Sequence, residues 1–275
     1  MSSHSFSRFV YCDTNILSHL AKSPDLWPLL FNYLAEHDLA LGVGTGQFPE
    51  LAEADRLHES LTTMLTCLPS ALIKTPDTVL AEEVAAHPGR RTDSLLLYPL
   101  NALLGEKNGP ETLRQYLSSP SLQHARRGQR ELADQSLHQH AELKSNFPPA
   151  QGEKYTRAQA NRFAWMQVVQ WLAEAHTSFL KQFEADIQSL QVRSFPSVRL
   201  FGREMFFKFY LGGREPSRTD FGDMAHLFAL PYCNLVIMER DLASTLRQIK
   251  RHDEVLCTTD IHDIDFFKHW PGPTH

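Results

Sequence analysis

The chain has 275 residues, is 42% hydrophobic and carries a formal charge of −5, enough apolar material for one large domain or a domain with an insertion. No run approaches 18 apolar residues and the start MSSHSFSRF lacks a basic-then-apolar leader, so neither a membrane span nor export is expected and a cytoplasmic location follows by default. Cys12, Cys67, Cys233 and Cys257 form no C-x-x-C pair and read as buried thiols rather than metal ligands.

Arg8 to Cys12 (RFVYC) is a short apolar run that breaks at Asp13-Thr14-Asn15 into the periodic stretch Ile16 to Ala21, the pattern of strand, turn and helix. A second strand is expected over Leu39 to Val43. It is followed by a plain turn at Gly44-Thr45-Gly46, which lacks the spacing of a phosphate-binding loop, and by a helix near Pro49. Ala71 to Thr75 reads as a third strand, ended by Pro76.

From residue 90 to 195 the texture is helical, rich in Leu, Ala, Gln, Glu and His, and no strand is expected there. Lys144 to Lys154 reads as a polar linker, and Phe163 to Ile187 as one amphipathic helix whose Phe163, Trp165, Met166, Val169 and Leu172 belong to a core. His138 and His140, two apart, do not share a helix face and are expected at the surface. Strand signals return at Leu235 to Met238, after a helix starting near Asp220, and at Val255 to Thr258. The expected fold is α/β: a mainly parallel five-stranded sheet flanked by helices, built from residues 1–89 and 196–275, with residues 90–195 as a large helical insertion.

In such sheets ligands bind outside the carboxyl ends of the strands. Asp13 follows the first strand, Glu50 lies beyond the second, Asp220 and Asp223 share a face of the next helix with His226 continuing it, and Glu239 and Asp241 follow the fourth strand. Any one of them is most simply a helix cap or a solvated acid. Converging together they would repel, and a hard divalent cation relieves that repulsion; Mg²⁺ or Mn²⁺ suits an all-oxygen set better than zinc. Gln191 to Thr219 interleaves Arg193, Arg199, Arg203, Lys208, Arg214 and Arg218 with Phe195, Phe201, Phe206, Phe207, Phe209 and Tyr210. It is the best nucleic-acid-binding stretch, although the aromatics also suit a core. Arg126, Arg127 and Arg130 form a second basic cluster, expected to be more remote.

YCDTNILSHL, PELAEA and TDFGDMAHLFALPYCNLVIMERDL together resemble the PIN-domain ribonucleases over roughly residues 8–75 and 218–265. The resemblance implies a PIN-like parallel sheet between helices and Mg²⁺- or Mn²⁺-dependent endoribonuclease activity on RNA. It also implies an antitoxin as one candidate partner, since many members are toxins so paired. It makes Asp13, Glu50, Asp223 and Glu239 the catalytic metal ligands, with Asp220 able to share or replace Asp223 and Asp241 the alternative to Glu239. Asn15, Arg214 and Arg218 are the candidate substrate-binding residues. Family members often have Thr or Ser before the last acid, where this chain has Met238. The competing expectations are a catalytically quiet nucleic-acid- or protein-binding module and a structure-specific DNA nuclease; a homo-oligomer is a further option.

Overall fold

A computed structural model describes residues 7–149 and 154–268. The strands are β1 (Phe9–Cys12), β2 (Ala40–Gly44), β3 (Ser70–Ile73), β4 (Leu96–Pro99), β5 (Leu235–Met238) and β6 (Asp260–Asp263). Around them lie α1 (Thr14–Lys22), α2 (Trp27–Glu36), α3 (Phe48–Leu51), α4 (His58–Cys67), α5 (Pro76–Ala86), α6 (Leu100–Leu104) and α7 (Gly109–Leu117). They are followed by α8 (Pro120–Asn146), α9 (Gln159–Ala175), α10 (Thr177–Leu180), α11 (Pro196–Met205), α12 (Arg218–Met224) and α13 (Arg240–His252).

The sheet runs β4-β3-β2-β1-β5-β6, parallel throughout except for β4, which is antiparallel to β3. β1 is central and buried at all of its positions, which explains its unbroken apolar run. Its side chains alternate between two cores. Val10 and Cys12 pack with Leu17, Leu34, Leu61 and Ile237 on one face, and Phe9 and Tyr11 with Phe163, Leu200, Val236 and Leu246 on the other. The chain winds outward from β1 to β3 on one side, then returns to place β5 and β6 on the other. The order therefore reverses between β1 and β5, and a crevice is expected at their carboxyl ends.

Several expectations are corrected. The sheet has six strands, not five, and β4 lies inside the segment 90–195 expected to be purely helical. The last strand is Asp260–Asp263, while Val255 and Leu256 are buried in a short helical turn before it. The helix expected to reach Ile187 stops at Ala175, capped at His176, and α10 follows. His140 is buried among Phe209, Tyr210 and Phe221 instead of lying at the surface. Cys67 and Cys257 are exposed, with only Cys12 and Cys233 buried. The expected linker Lys144 to Lys154 falls partly outside the described residues. The segment from α8 to α9 contributes Ala133, Phe147 and Phe163 to the same core as the sheet. Among the described residues no helix is long and apolar enough to cross a membrane.

Candidate functional site

Asp13 leaves the end of β1 with its backbone N–H bonded to the Ile237 carbonyl of β5, 3.2 Å away. Its Oδ1 accepts the Ile16 N–H at 2.7 Å, capping α1, and its Oδ2 accepts the Glu239 N–H at 2.7 Å. One carboxylate thus joins the ends of both strands at the switch point, and each oxygen keeps a free lone pair. Burial raises its pKa, and the two N–H bonds oppose the rise. Gln47, fully buried, fixes the neighbouring strand end: its Nε2 donates to the Cys12 carbonyl and its Oε1 accepts the Gly44 N–H, both at 2.8 Å.

Glu50, on α3, has both oxygens occupied. Oε2 accepts from Thr14 Oγ1 at 2.5 Å and lies 3.5 Å from His226 Nε2, while Oε1 accepts from Arg126 Nη1 at 3.2 Å. His226 is itself placed by Tyr11, whose hydroxyl lies 2.8 Å from Nδ1. With that hydroxyl donating, Nε2 carries the ring proton and turns it toward Glu50. Burial works to raise the pKa of Glu50, but His226, Thr14 and Arg126 together hold it below the usual carboxylate range.

Asp220 and Asp223 part company although they lie on one short helix. Asp220 is buried, with Lys208 Nζ 2.8 Å and Arg214 Nη2 3.0 Å from Oδ1, and the Ser217 N–H and hydroxyl on Oδ2 at 2.8 and 2.6 Å. Asp223 faces the cleft and has no hydrogen-bond or ion-pair partner among the described residues. The surrounding walls desolvate its carboxyl and, with Glu50 and Glu239 adding to the effect and His226 and Lys208 opposing it, push its pKa up to about 6. Glu239 stands at the start of α13, where its Oε1 accepts from Asn15 Nδ2 at 2.5 Å. Asp241 lies in the first turn of α13, not in an extended segment, and opens onto the same cleft.

All of these acids line one cleft of about 690 Å³ at the carboxyl ends of β1 and β5. Arg214 and Arg218 line it as well. Arg126 and Arg130, expected to be remote, are brought to it by α8. Arg218 is paired with Asp134, and Arg130 with Glu53. Lys208 lines the cleft too, whereas Arg199 and Arg203 are buried against Asp253 at 2.8 and 2.6 Å and the exposed Arg193 lies 3.6 Å from Glu254. Phe195, Phe206, Phe207, Phe209 and Tyr210 are core residues, not stacking platforms.

Among the described residues no three His, Cys, Asp or Glu side chains are gathered closely enough to hold a metal ion. Hydrogen bonding accounts for part of this, because Asp13, Glu50, Asp220 and Glu239 are each held by protein donors. In chemical kind the donor set does fit a hard divalent cation: Asp13, Asp223, Glu239 and Asp241 offer only oxygens, and Asp223 and Asp241 form no ion pair among the described residues. The placing roles of Tyr11, Gln47, Lys208 and His226 are not evident from the sequence, although His226 stands one turn beyond Asp223 on the expected helix and Lys208 lies in the basic stretch. Comparison with protein-family models, with curated proteins and with solved structures finds no match to this chain.

Proposed function

We propose that this protein is a divalent-metal-dependent nuclease that hydrolyses RNA phosphodiester bonds, as the resemblance to PIN-domain ribonucleases implies. The observation that carries the reading is Asp223, an acid with no ion-pair partner among the described residues, in one cleft with Asp13, Glu239 and Asp241 at the point where the strand order reverses. Asp13, Asp223 and Glu239 would hold Mg²⁺ or Mn²⁺, with Glu50 and Asp241 beside them. When bound, the cation would activate water and stabilise the leaving oxygen.

The chain's own residues contribute position and charge. The two backbone N–H groups on Asp13 fix its carboxylate, and Thr14 and His226 fix that of Glu50. Arg126, Arg130, Arg214 and Arg218 rim the cleft, where guanidinium groups hold phosphate oxygens in bidentate fashion. Asn15 keeps Glu239 oriented.

The test is incubation with RNA and DNA oligonucleotides, with Mn²⁺ or with EDTA, of wild type and of Asp223→Asn. RNA cleavage that needs Mn²⁺ and falls sharply in the variant is expected. Cleavage indifferent to both changes would refute the reading, and a preference for DNA would redirect it to a DNA nuclease. One observation favours a second reading, that of a catalytically quiet binding module: the acids do not stand gathered. That module predicts no heat on titration with Mn²⁺.

A further inference from the structure

The helix α8 runs for 27 residues yet buries only Leu122, Ala133 and His140. One of its faces is turned to the cleft, presenting Arg126, Gln129, Arg130 and Ala133 at helical spacing. This face is tied to the α3 side of the cleft by polar contacts. Gln129 Nε2 donates to the Gly46 carbonyl at 2.9 Å, and Arg130 pairs with Glu53. Arg126 bridges two acids, with Nη1 3.2 Å from Glu50 Oε1 and Nε 3.2 Å from Glu53 Oε2.

Glu50 is therefore satisfied from inside the protein, and its contacts differ in kind. Thr14 and His226 hold Oε2 from the elements that build the site, whereas Oε1 is held only by a cation on α8. For Oε1 to turn toward a divalent cation, Arg126 has to let go. A released Arg126 keeps Glu53 as an anchor and gains a guanidinium edge free for a phosphate oxygen. Resting on the nuclease reading above, we propose that Arg126 and the divalent cation exchange at Glu50. Arg126 is the internal counter-ion of the metal-free site, and on exchange it becomes a phosphate-holding residue. Metal and nucleic acid then bind with positive coupling, because the first ligand frees the side chain that grips the second.

The exchange gives Arg126→Gln two effects of opposite sign. The variant leaves Glu50 without its competing cation, so MnCl₂ titrated in a calorimeter binds roughly 3- to 10-fold more tightly than to wild type. A labelled RNA oligonucleotide, followed by fluorescence anisotropy in Ca²⁺, binds about 5-fold more weakly, with the slope of log affinity against log salt reduced by about 0.7 for one lost phosphate contact. An arginine that only held the helix in place would, when removed, weaken both. Arg130→Gln removes the same charge from the same face but breaks a pair with Glu53, not with Glu50, and is expected to change Mn²⁺ affinity by less than about 2-fold; a gain equal to that of Arg126→Gln overturns the exchange. Wild type that binds Mn²⁺, together with an Arg126→Gln variant that binds it no better, overturns the exchange and spares the nuclease reading. Wild type that binds no Mn²⁺ overturns both.

Discussion

Replacing Asp223 by Asn should make the metal-free protein more stable. Asp223 has no partner among the described residues to lose, and Asn nearly matches its shape while removing a charge that the cleft disfavours. At about 1.4 kcal/mol per tenfold change in proton affinity, a carboxyl raised from 3.8 to about 6 would cost the folded state about 3 kcal/mol in a dry site. Asp223 opens onto cleft water, which screens the field of Glu50 and Glu239, so a gain of about 1 kcal/mol is the realistic size. The sign follows from protonation. Below about pH 3 the carboxyl is neutral in folded and unfolded chains alike, and up to about pH 4 the substitution changes little. Between about pH 4 and pH 6 the unfolded wild type ionises while the folded carboxyl still holds its proton, so the advantage of the variant grows, and above pH 6 it is fully present. Urea unfolding in EDTA at pH 4 and pH 7.5 measures both ends. If the cleft holds Mn²⁺ as proposed, adding it should then reverse the order at pH 7.5, since a ligand at 100 times its Kd stabilises the folded wild type by about 2.7 kcal/mol and the variant by much less. A variant less stable than wild type at pH 7.5 in EDTA, or a gain of equal size at both pH values, would refute the reasoning.

Glu83 is fully buried, accepts from the Tyr232 hydroxyl at 2.7 Å and the Ser197 N–H at 3.0 Å, and leaves Oε2 unpartnered. Burial pushes its pKa up to about 7 despite those bonds and the nearby Arg91. Its folded-state pKa being raised, wild-type stability should decline by roughly 2 to 3 kcal/mol from pH 5 to pH 8, and Glu83→Gln should flatten that slope in urea titrations. Gly202 sits where α11 crosses α9, and a Cβ there would meet Ala164 Cα at 3.0 Å and Gln167 Cγ at 3.1 Å. Gly202→Ala should therefore lose about 1 kcal/mol in chemical unfolding, overpacking outweighing the helix propensity that alanine restores.

The fold was legible where burial on both faces leaves an unbroken apolar run, as in RFVYC for β1 and LVIM, which matches β5 residue for residue. It was illegible at the sheet edges. β6 reads DIHD and buries only Ile261, while β4 exposes Leu97 and Tyr98 and ends in Pro99, so neither shows the pattern of a central strand. Meanwhile Val255 and Leu256 mimic a strand because a helical turn buries them. The acids were found because they follow strand ends, a local signal. Arg126 stood out only as part of a basic cluster expected to be remote, since it reaches Glu50 across 76 residues of chain and no local pattern encodes that approach. The basic and aromatic stretch misled for a related reason. Its rings fill the core and its arginines divide among buried Asp253, the exposed Glu254 and the cleft, so alternating charge and aromaticity had several destinations that the sequence alone does not separate.

Asp13 shows why site and scaffold have to be separated by sign of effect rather than by loss of activity. Asn ranks with Asp as a helix cap, so Asp13→Asn can keep the bond to the Ile16 N–H through its carbonyl. The amide nitrogen then faces the Glu239 N–H, donor against donor, where Oδ2 accepted at 2.7 Å. A buried donor left without an acceptor costs about 1 to 3 kcal/mol, and the hydrogen bond that disappears is the one holding the start of α13, and with it Glu239, against the end of β1. Because that bond is part-buried and loss of a charge that burial disfavours offsets some of the cost, Asp13→Asn should be less stable than wild type by about 1 kcal/mol in urea unfolding with EDTA, while Asp223→Asn is more stable. On the nuclease reading proposed above, both should lose RNA cleavage by about 10- to 100-fold, the scale on which changes around a metal site act. Shared loss of activity with opposite changes in stability is what a metal site built on a strand junction requires. If Asp13→Asn unfolds at the wild-type urea concentration, the bridge between β1 and α13 does not hold the site together, and Asp13 acts there by charge alone.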